Sequence, residues 1–180
     1  MIFINKSGLL KYKKIQFPCA LGKAGIGKKI REGDNLTPIG TYKIVNVYYR
    51  SDKIKKLTSN LKLIPINKNM GWCDDPKSKK YNQLIKLPSK FTHEKLYRKD
   101  NIYDLVLPID FNTKKIIKGK GSAIFIHVAR KNFKPTRGCI AVKKSDLIYL
   151  LKIIKNNKIK IKIFKISLKD KISTGSSKIK

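Results

Sequence analysis

A single stretch of this chain sets its apolar residues at helical spacing. Leu147, Leu150, Leu151 and Ile154 recur three to four positions apart, behind Ser145, a good N-cap residue, and ahead of the breaker Asn156-Asn157. The remaining apolar runs are short and lack that period, which steers the chain towards β-structure. Residues 2–4 and 9–14 flank the turn signal Asn5-Lys6-Ser7-Gly8 and read as a hairpin, and 15–21 as a further strand. Residues 41–49 are β-branched and aromatic, which reads as a strand. Residues 102–109, 122–129 and 140–142 read as strands, and Ile159, Ile161 and Ile163 alternate with Lys160 and Lys162 as a half-buried strand does. Residues 22–35 hold four glycines among charges and read as a loop. Residues 50–101, with Pro65, Pro76 and Pro88, read as mostly irregular. The expected architecture is mainly β, a sandwich or twisted mixed sheet with one helix near 145–155. Residues 1–164 form the expected domain, and 165–180 a basic, Ser-rich, disordered tail.

The 180 residues suffice for one sizeable core. With 41% apolar residues, global disorder is excluded. The formal charge of +32 permits an anionic partner, whether nucleic acid, lipid or polymer. The excess is mostly lysine, spread along the chain beside many Ile and Asn, a mix that codon bias in an AT-rich genome also produces. No zinc-finger spacing, aromatic RNP run or basic region joined to heptads is present, so no specific nucleic-acid partner is expected. Charges interrupt every apolar run well short of a membrane span. Met1-Ile2-Phe3-Ile4, followed by Lys6 and Lys11, is too short for a signal-peptide core, so the chain as given reads as cytoplasmic, mature or wrongly started. Cys19 and Cys73 fit a disulfide or two buried thiols equally well, with Cys139 left over.

Chemistry concentrates near residue 130. The chain has two histidines, and His127 ends the strand-like run 122–128, twelve positions before Cys139. Pro135 and Gly138 break the segment between them, a spacing that suits two adjacent strands joined by a loop. A cysteine becomes a good nucleophile when a neighbouring base or cation favours its thiolate. Alternation places His127 on one face with Phe125 and Ala129, and Ile124, Ile126 and Val128 on the other. Gly138 lets the backbone turn sharply and lets a carbonyl approach the local N–H groups, a candidate oxyanion hole. Gly22, Gly27 and Lys28 fit the first half of a phosphate-binding loop. Lys29 stands where Ser or Thr would hold Mg²⁺ and no helix pattern follows, which argues against a nucleotide site. Trp72 and Asp74, with Asp75, fit either a substrate-binding surface or a buried tryptophan beside an Asp-Pro turn. His93 lies in a polar stretch and is expected to be exposed. Two histidines and scattered carboxylates make a poor metal site, so neither metal nor cofactor is expected.

Ile126-His127 followed by Thr136-Arg137-Gly138-Cys139-Ile140 resembles the signature of the YkuD-type L,D-transpeptidase family. The likeness extends through Gly22-Lys23, Glu32-Gly33-Asp34 and Thr37-Pro38-Ile39-Gly40-Thr41-Tyr42. It continues through Gly71-Trp72-Cys73-Asp74-Asp75-Pro76, Tyr81-Asn82, Leu96-Tyr97-Arg98-Lys99-Asp100, Tyr103-Asp104 and Gly119-Lys120-Gly121-Ser122-Ala123-Ile124-Phe125, over roughly residues 2–164. The resemblance implies a β-rich catalytic domain that forms a thioester on peptidoglycan tetrapeptide stems. It implies Cys139 as nucleophile, His127 as base, the Val128 carbonyl orienting His127, and the Gly138 and Cys139 amides as the oxyanion hole. Arg137, Thr136, Trp72, Asp74 and Ser122 are the implied substrate contacts, and the expected state is a monomer in the periplasm or cell envelope. Val128 stands where many members have Ser or Gly, Ala141 stands where many have Arg, and the His127–Cys139 interval is shorter than in many. An L,D-carboxypeptidase on the same stems, with water as acceptor, shares the first half-reaction. A non-enzymatic basic module binding nucleic acid or cell-wall polymer is the alternative of another class.

Overall fold

A computed structural model describes residues 1–165. Ten strands form one curled mixed sheet. The first hairpin is β1 (Ile2–Asn5) with β2 (Leu9–Tyr12), turned at Gly8, and β3 (Ile15–Ala20) continues it. On one side β15 (Lys160–Phe164) pairs parallel with β1 and antiparallel with β6 (Gly40–Lys43). On the other, β3 meets β14 (Ile140–Val142), then come β13 (Phe125–Val128), β12 (Leu105–Pro108), β7 (Val47–Tyr49) and β8 (Leu63–Pro65).

The fold departs from the sequence pattern in several places, among them the expected strand 122–129, which begins only at Phe125 because Ala123 turns at a φ of +50°. Residues 41–49 are not one strand. Val45 is half exposed and the chain bends at Ile44–Asn46, sending β6 and β7 to opposite sides of the sheet order. An isolated bridge from Ile44 to Ile109 and the bond from Val45 N–H to Pro108 O, 3.0 Å, bring the curled sheet back on itself. Residues 50–101 are not mostly irregular either. They carry β8 and a small sheet of β9 (Met70–Cys73) between β10 (Leu84–Lys86) and β11 (His93–Lys95). These strands are three or four residues long and rich in Lys, Gly and Met, so they show no β-branched alternation. A further two-stranded ribbon, β4 (Ile26–Gly27) with β5 (Thr37–Pro38), structures the glycine-rich loop.

The helix α1 spans Lys144–Ile153 and buries Leu147, Leu150 and Leu151. Its N-cap is Lys143, without a side-chain cap, so Ser145 lies in the first turn and not at the cap. Its hydroxyl bonds Asp146 instead, 3.2 Å away. The larger core joins these leucines to Ile124, Ile126, Val128, Ile140 and Val142 on one face of the sheet. A second cluster, Tyr48, Ile66, Trp72, Leu96, Tyr103, Val106 and Phe125, packs on the other face, with Cys139 against it. Burial of this much aliphatic surface is the main stabilising term. Cys19 and Cys73 are separate buried free thiols in different sheets. Burial pushes the Cys19 thiol up to about 12. Of the expected tail, residues 166–180 lie outside the described residues.

Candidate active site

Strands β13 and β14 are parallel neighbours with Ile126 opposite Ile140 and His127 opposite Ala141. Because side chains alternate across a strand, Phe125, His127, Cys139 and Ala141 all face the second cluster, while Ile126, Val128, Ile140 and Val142 face the larger core. The crossover between the strands carries a short 3-10 turn, Lys131–Phe133. His127 and Cys139 therefore come from adjacent strands and line the same cleft, of about 460 Å³.

The imidazole is only 7% exposed. Its Nδ1 lies 2.9 Å from the Val128 carbonyl oxygen, which can only accept, so Nδ1 carries the proton and Nε2 is left bare. Burial pushes the His127 pKa down to about 4, with Arg130 and Arg98 adding to the effect and the Val128 bond opposing it. The Tyr103 ring packs edge-on to both His127, at 5.5 Å, and Phe125, at 6.0 Å.

Cys139 donates its S–H to Ala123 O, 3.2 Å away, and its sulfur accepts the Phe125 N–H at 3.4 Å. Burial pushes this thiol up to about 12, against the Phe125 bond. The resting pair is neutral thiol and neutral imidazole. A preformed thiolate is disfavoured by the desolvation of both groups, although Cys139 keeps partial exposure to the cleft.

Gly138 has a φ of +133°, and a Cβ there would stand 2.8 Å from Leu36 O. Thr136 Oγ1 donates to Cys139 O at 2.6 Å and accepts the Gly138 N–H at 3.1 Å, locking the turn that delivers the sulfur. The loop is tied to the glycine-rich segment: Lys23 N–H donates to Thr136 O and Thr136 N–H to Leu21 O, both 2.9 Å. The glycines that resemble half a phosphate loop thus support the cysteine turn. Lys29 is buried against Asp34, 2.5 Å away.

Of the expected substrate contacts, Thr136, Arg137, Asp74 and Ser122 line the cleft. Trp72 does not. It is buried, with Nε1–H donating to Asn82 Oδ1 at 3.0 Å and its ring edge-on to Phe125. His93 is half-buried in β11 and not exposed, its Nδ1 2.7 Å from Phe91 O. Tyr81 and Asn82, to which the sequence pattern assigns no role, support the site. Asn82 Oδ1 also accepts the Ala123 N–H at 3.0 Å, while its Nδ2 donates to Phe111 O and Asn112 O at 3.0 and 2.9 Å. Tyr81 Oη accepts the Gly121 N–H at 3.0 Å and donates to Glu32. These two side chains pin residues 121–123, and Ala123, at φ +50°, presents the carbonyl that holds the thiol. The adjacent Tyr-Asn pair is the one sequence signal for this support. Glu94, Arg98, Tyr103 and Arg130, also without a role in the sequence pattern, complete the cleft beside His127. Among the described residues no group of His, Cys, Asp or Glu is arranged to hold a metal ion.

Comparison with curated proteins gives no significant match. Among solved structures, the chain is similar to the helical cell shape determining protein Pgp2 from Campylobacter jejuni, at 17% identity and a TM-score of 0.50, over 96% of this chain and 51% of that one. A lysine-to-alanine mutant of the same protein gives 17% identity and 0.52, over 96% and 50%. The chain spans about half the length of these structures, and at this identity the likeness concerns the fold. The family model described as the YkuD L,D-transpeptidase catalytic domain matches residues 1–166, nearly the whole chain, and the chain belongs to that family.

Proposed function

We propose that this chain is a cysteine acyltransferase that acts on peptidoglycan tetrapeptide stems in the cell envelope. The observation that carries this reading is the placement of His127 and Cys139 on one face of two parallel strands, in one cleft, with Nε2 of the imidazole unprotonated. Family membership supplies the reaction class.

In this reading His127 Nε2 takes the Cys139 proton as sulfur attacks the carbonyl of the third stem residue. The tetrahedral oxyanion is held by the Cys139 amide. The Gly138 amide, engaged by Thr136 Oγ1 at rest, joins it only when that hydroxyl releases it. Collapse breaks the C–N bond, His127 gives its proton to the departing D-alanine amine, and a thioester remains. An acceptor amine then attacks the thioester, His127 takes its proton, and the thiol is restored. A neutral resting pair suits two groups set this deep in the fold, because charge develops only as the bond forms.

Incubation with a disaccharide-tetrapeptide, with and without an added D-amino acid, tests the reading by product mass. Exchange of the terminal D-alanine supports transpeptidation. Release of tripeptide alone replaces it with carboxypeptidase activity. Neither product, with substrate in excess, refutes acyl transfer on these stems.

A further inference from the structure

Isoleucine is among the residues most often buried, yet Ile30 is 65% exposed and Ile117 54%, the two most exposed large apolar side chains among the described residues. They are not scattered. Both line one groove of about 470 Å³, together with Ile39, which is 42% exposed. The three isoleucines come from three segments. Ile30 lies in the loop that Asp34 closes, Ile39 between β5 and β6, and Ile117 in the connection from β12 to β13. Tyr42 and the buried Phe111, edge-on at 5.9 Å, complete the apolar lining. Lys29 lines both this groove and the active-site cleft, so the two adjoin.

The loops hold these side chains out by bonds within the chain. Ile30 N–H donates to Asp34 Oδ2 at 3.1 Å. Ile39 N–H donates to Gly27 O at 2.9 Å, and the Ile39 carbonyl accepts the Tyr42 hydroxyl at 2.8 Å. Ile117 N–H donates to Asn112 Oδ1 and Ile117 O accepts from Asn112 Nδ2, both at 2.9 Å. Glu32 N–H donates to Gly119 O at 2.8 Å and ties the first loop to the third. With so much of the backbone engaged, little of it is offered to a peptide that would add as a strand. What the groove presents outward is aliphatic tips and ammonium groups. Lys28 and Lys118 are exposed and Lys120 is half-buried at its wall. The neighbouring carboxylates are already committed. Asp34 pairs with Lys29, Glu32 accepts the Tyr81 hydroxyl, and Asp110 accepts the Lys43 N–H at 2.6 Å. Residues 28–43 and 110–120 hold eight basic residues against these three acidic ones.

We propose that Ile30, Ile39 and Ile117, with Lys28, Lys118 and Lys120 around them, form a docking surface for an anionic lipid bilayer. A bilayer interface asks for what this surface supplies. Apolar tips enter the headgroup boundary, and backbone groups bonded within the protein lose nothing on leaving water. Lysine stems lie along the apolar surface while their ammoniums reach the lipid phosphates. A second copy of this chain, at +32, sets like charge against the groove, as do residues 166–180, with four lysines to one aspartate. Docking here sets the adjoining cleft of His127 and Cys139 at the membrane surface. The inference does not depend on the reaction that cleft performs.

The test is co-sedimentation of the full chain with phosphatidylcholine vesicles, with and without one lipid in three replaced by phosphatidylglycerol. Charge alone draws a chain this basic to anionic vesicles, so the isoleucines carry the test. Ile30→Ser, Ile39→Ser and Ile117→Ser together leave the net charge unchanged and are expected to weaken binding to the anionic vesicles at least about tenfold. Val45→Ser, Leu84→Ser and Tyr149→Ser together, at exposed apolar positions outside the groove, are expected to change it less than about twofold. Ile117→Trp fluorescence is expected to be quenched by brominated lipid chains, and Val45→Trp fluorescence to be spared. Undiminished binding after the three isoleucine substitutions, equal binding to both vesicle types, or no quenching of Ile117→Trp overturns the proposal. So does absence of vesicle binding, whether the groove then takes up an acidic amphipathic peptide or closes a dimer of the chain that the same substitutions dissolve.

Discussion

The Cys139 thiol points its proton at the Ala123 carbonyl oxygen, 3.2 Å away, and not at His127. With the thiol pushed up to about 12 and the imidazole down to about 4, both by burial, the pair carries no charge at neutral pH. Alkylation by iodoacetamide at pH 7 is expected to run about a hundredfold slower than for a free thiol of pKa about 8.5, and to keep rising past pH 10. Thiol-specific mass labelling across pH measures this. A plateau below pH 8.5 contradicts the neutral pair.

His127 also links stability to acid. Its folded pKa, about 4, lies below the unfolded value of about 6.5. Between those values the unfolded chain binds a proton that the native chain refuses, so the contribution is whole above pH 6.5 and falls as pH drops towards 4. The loss amounts to about 3 kcal/mol across that window. Urea unfolding at pH 7 and pH 4.5 is expected to show the drop, and His127→Gln to remove that portion of it. Equal pH dependence in the two chains contradicts the assignment.

Asn82 satisfies the Trp72 indole, the Ala123 amide and two carbonyls at once. Asn82→Ala leaves these partners buried and unpaired, at an expected loss of about 3 kcal/mol. Because Ala123 holds the thiol, product formation is expected to fall more than about tenfold even where the chain remains folded. Parallel thermal unfolding and product analysis separate the two effects.

Gly138→Ala places a Cβ against Leu36 O in a conformation that L side chains rarely adopt. An expected cost of about 2 kcal/mol falls on the turn that presents Cys139. Activity is expected to be lost at temperatures where circular dichroism still reports the native sheet. Retained activity contradicts the need for this turn.

The two strands that carry the site are legible as an apolar run that reaches His127 and a short apolar run behind a glycine break at Ile140–Val142, although the first strand begins only at Phe125. The small sheet of β9, β10 and β11 is not legible, because three-residue strands with Lys, Gly and Met carry no periodic signal. The break at Ile44–Asn46 is hidden by β-branched residues on both sides, which satisfy either strand equally. The roles of Tyr81 and Asn82 depend on hydrogen bonds across some 40 positions, which local patterning does not encode. The neutral state of the thiol escapes the sequence for a similar reason, since burial is a property of the assembled fold.

Intact-protein mass spectrometry of the chain during turnover of a tetrapeptide tests acyl transfer through Cys139 most directly. The account predicts a transient adduct equal to the peptide less its terminal D-alanine, mapped to Cys139, absent in Cys139→Ala and slow to form in His127→Ala. Turnover that persists in Cys139→Ala, or an adduct mapped to another residue, contradicts it.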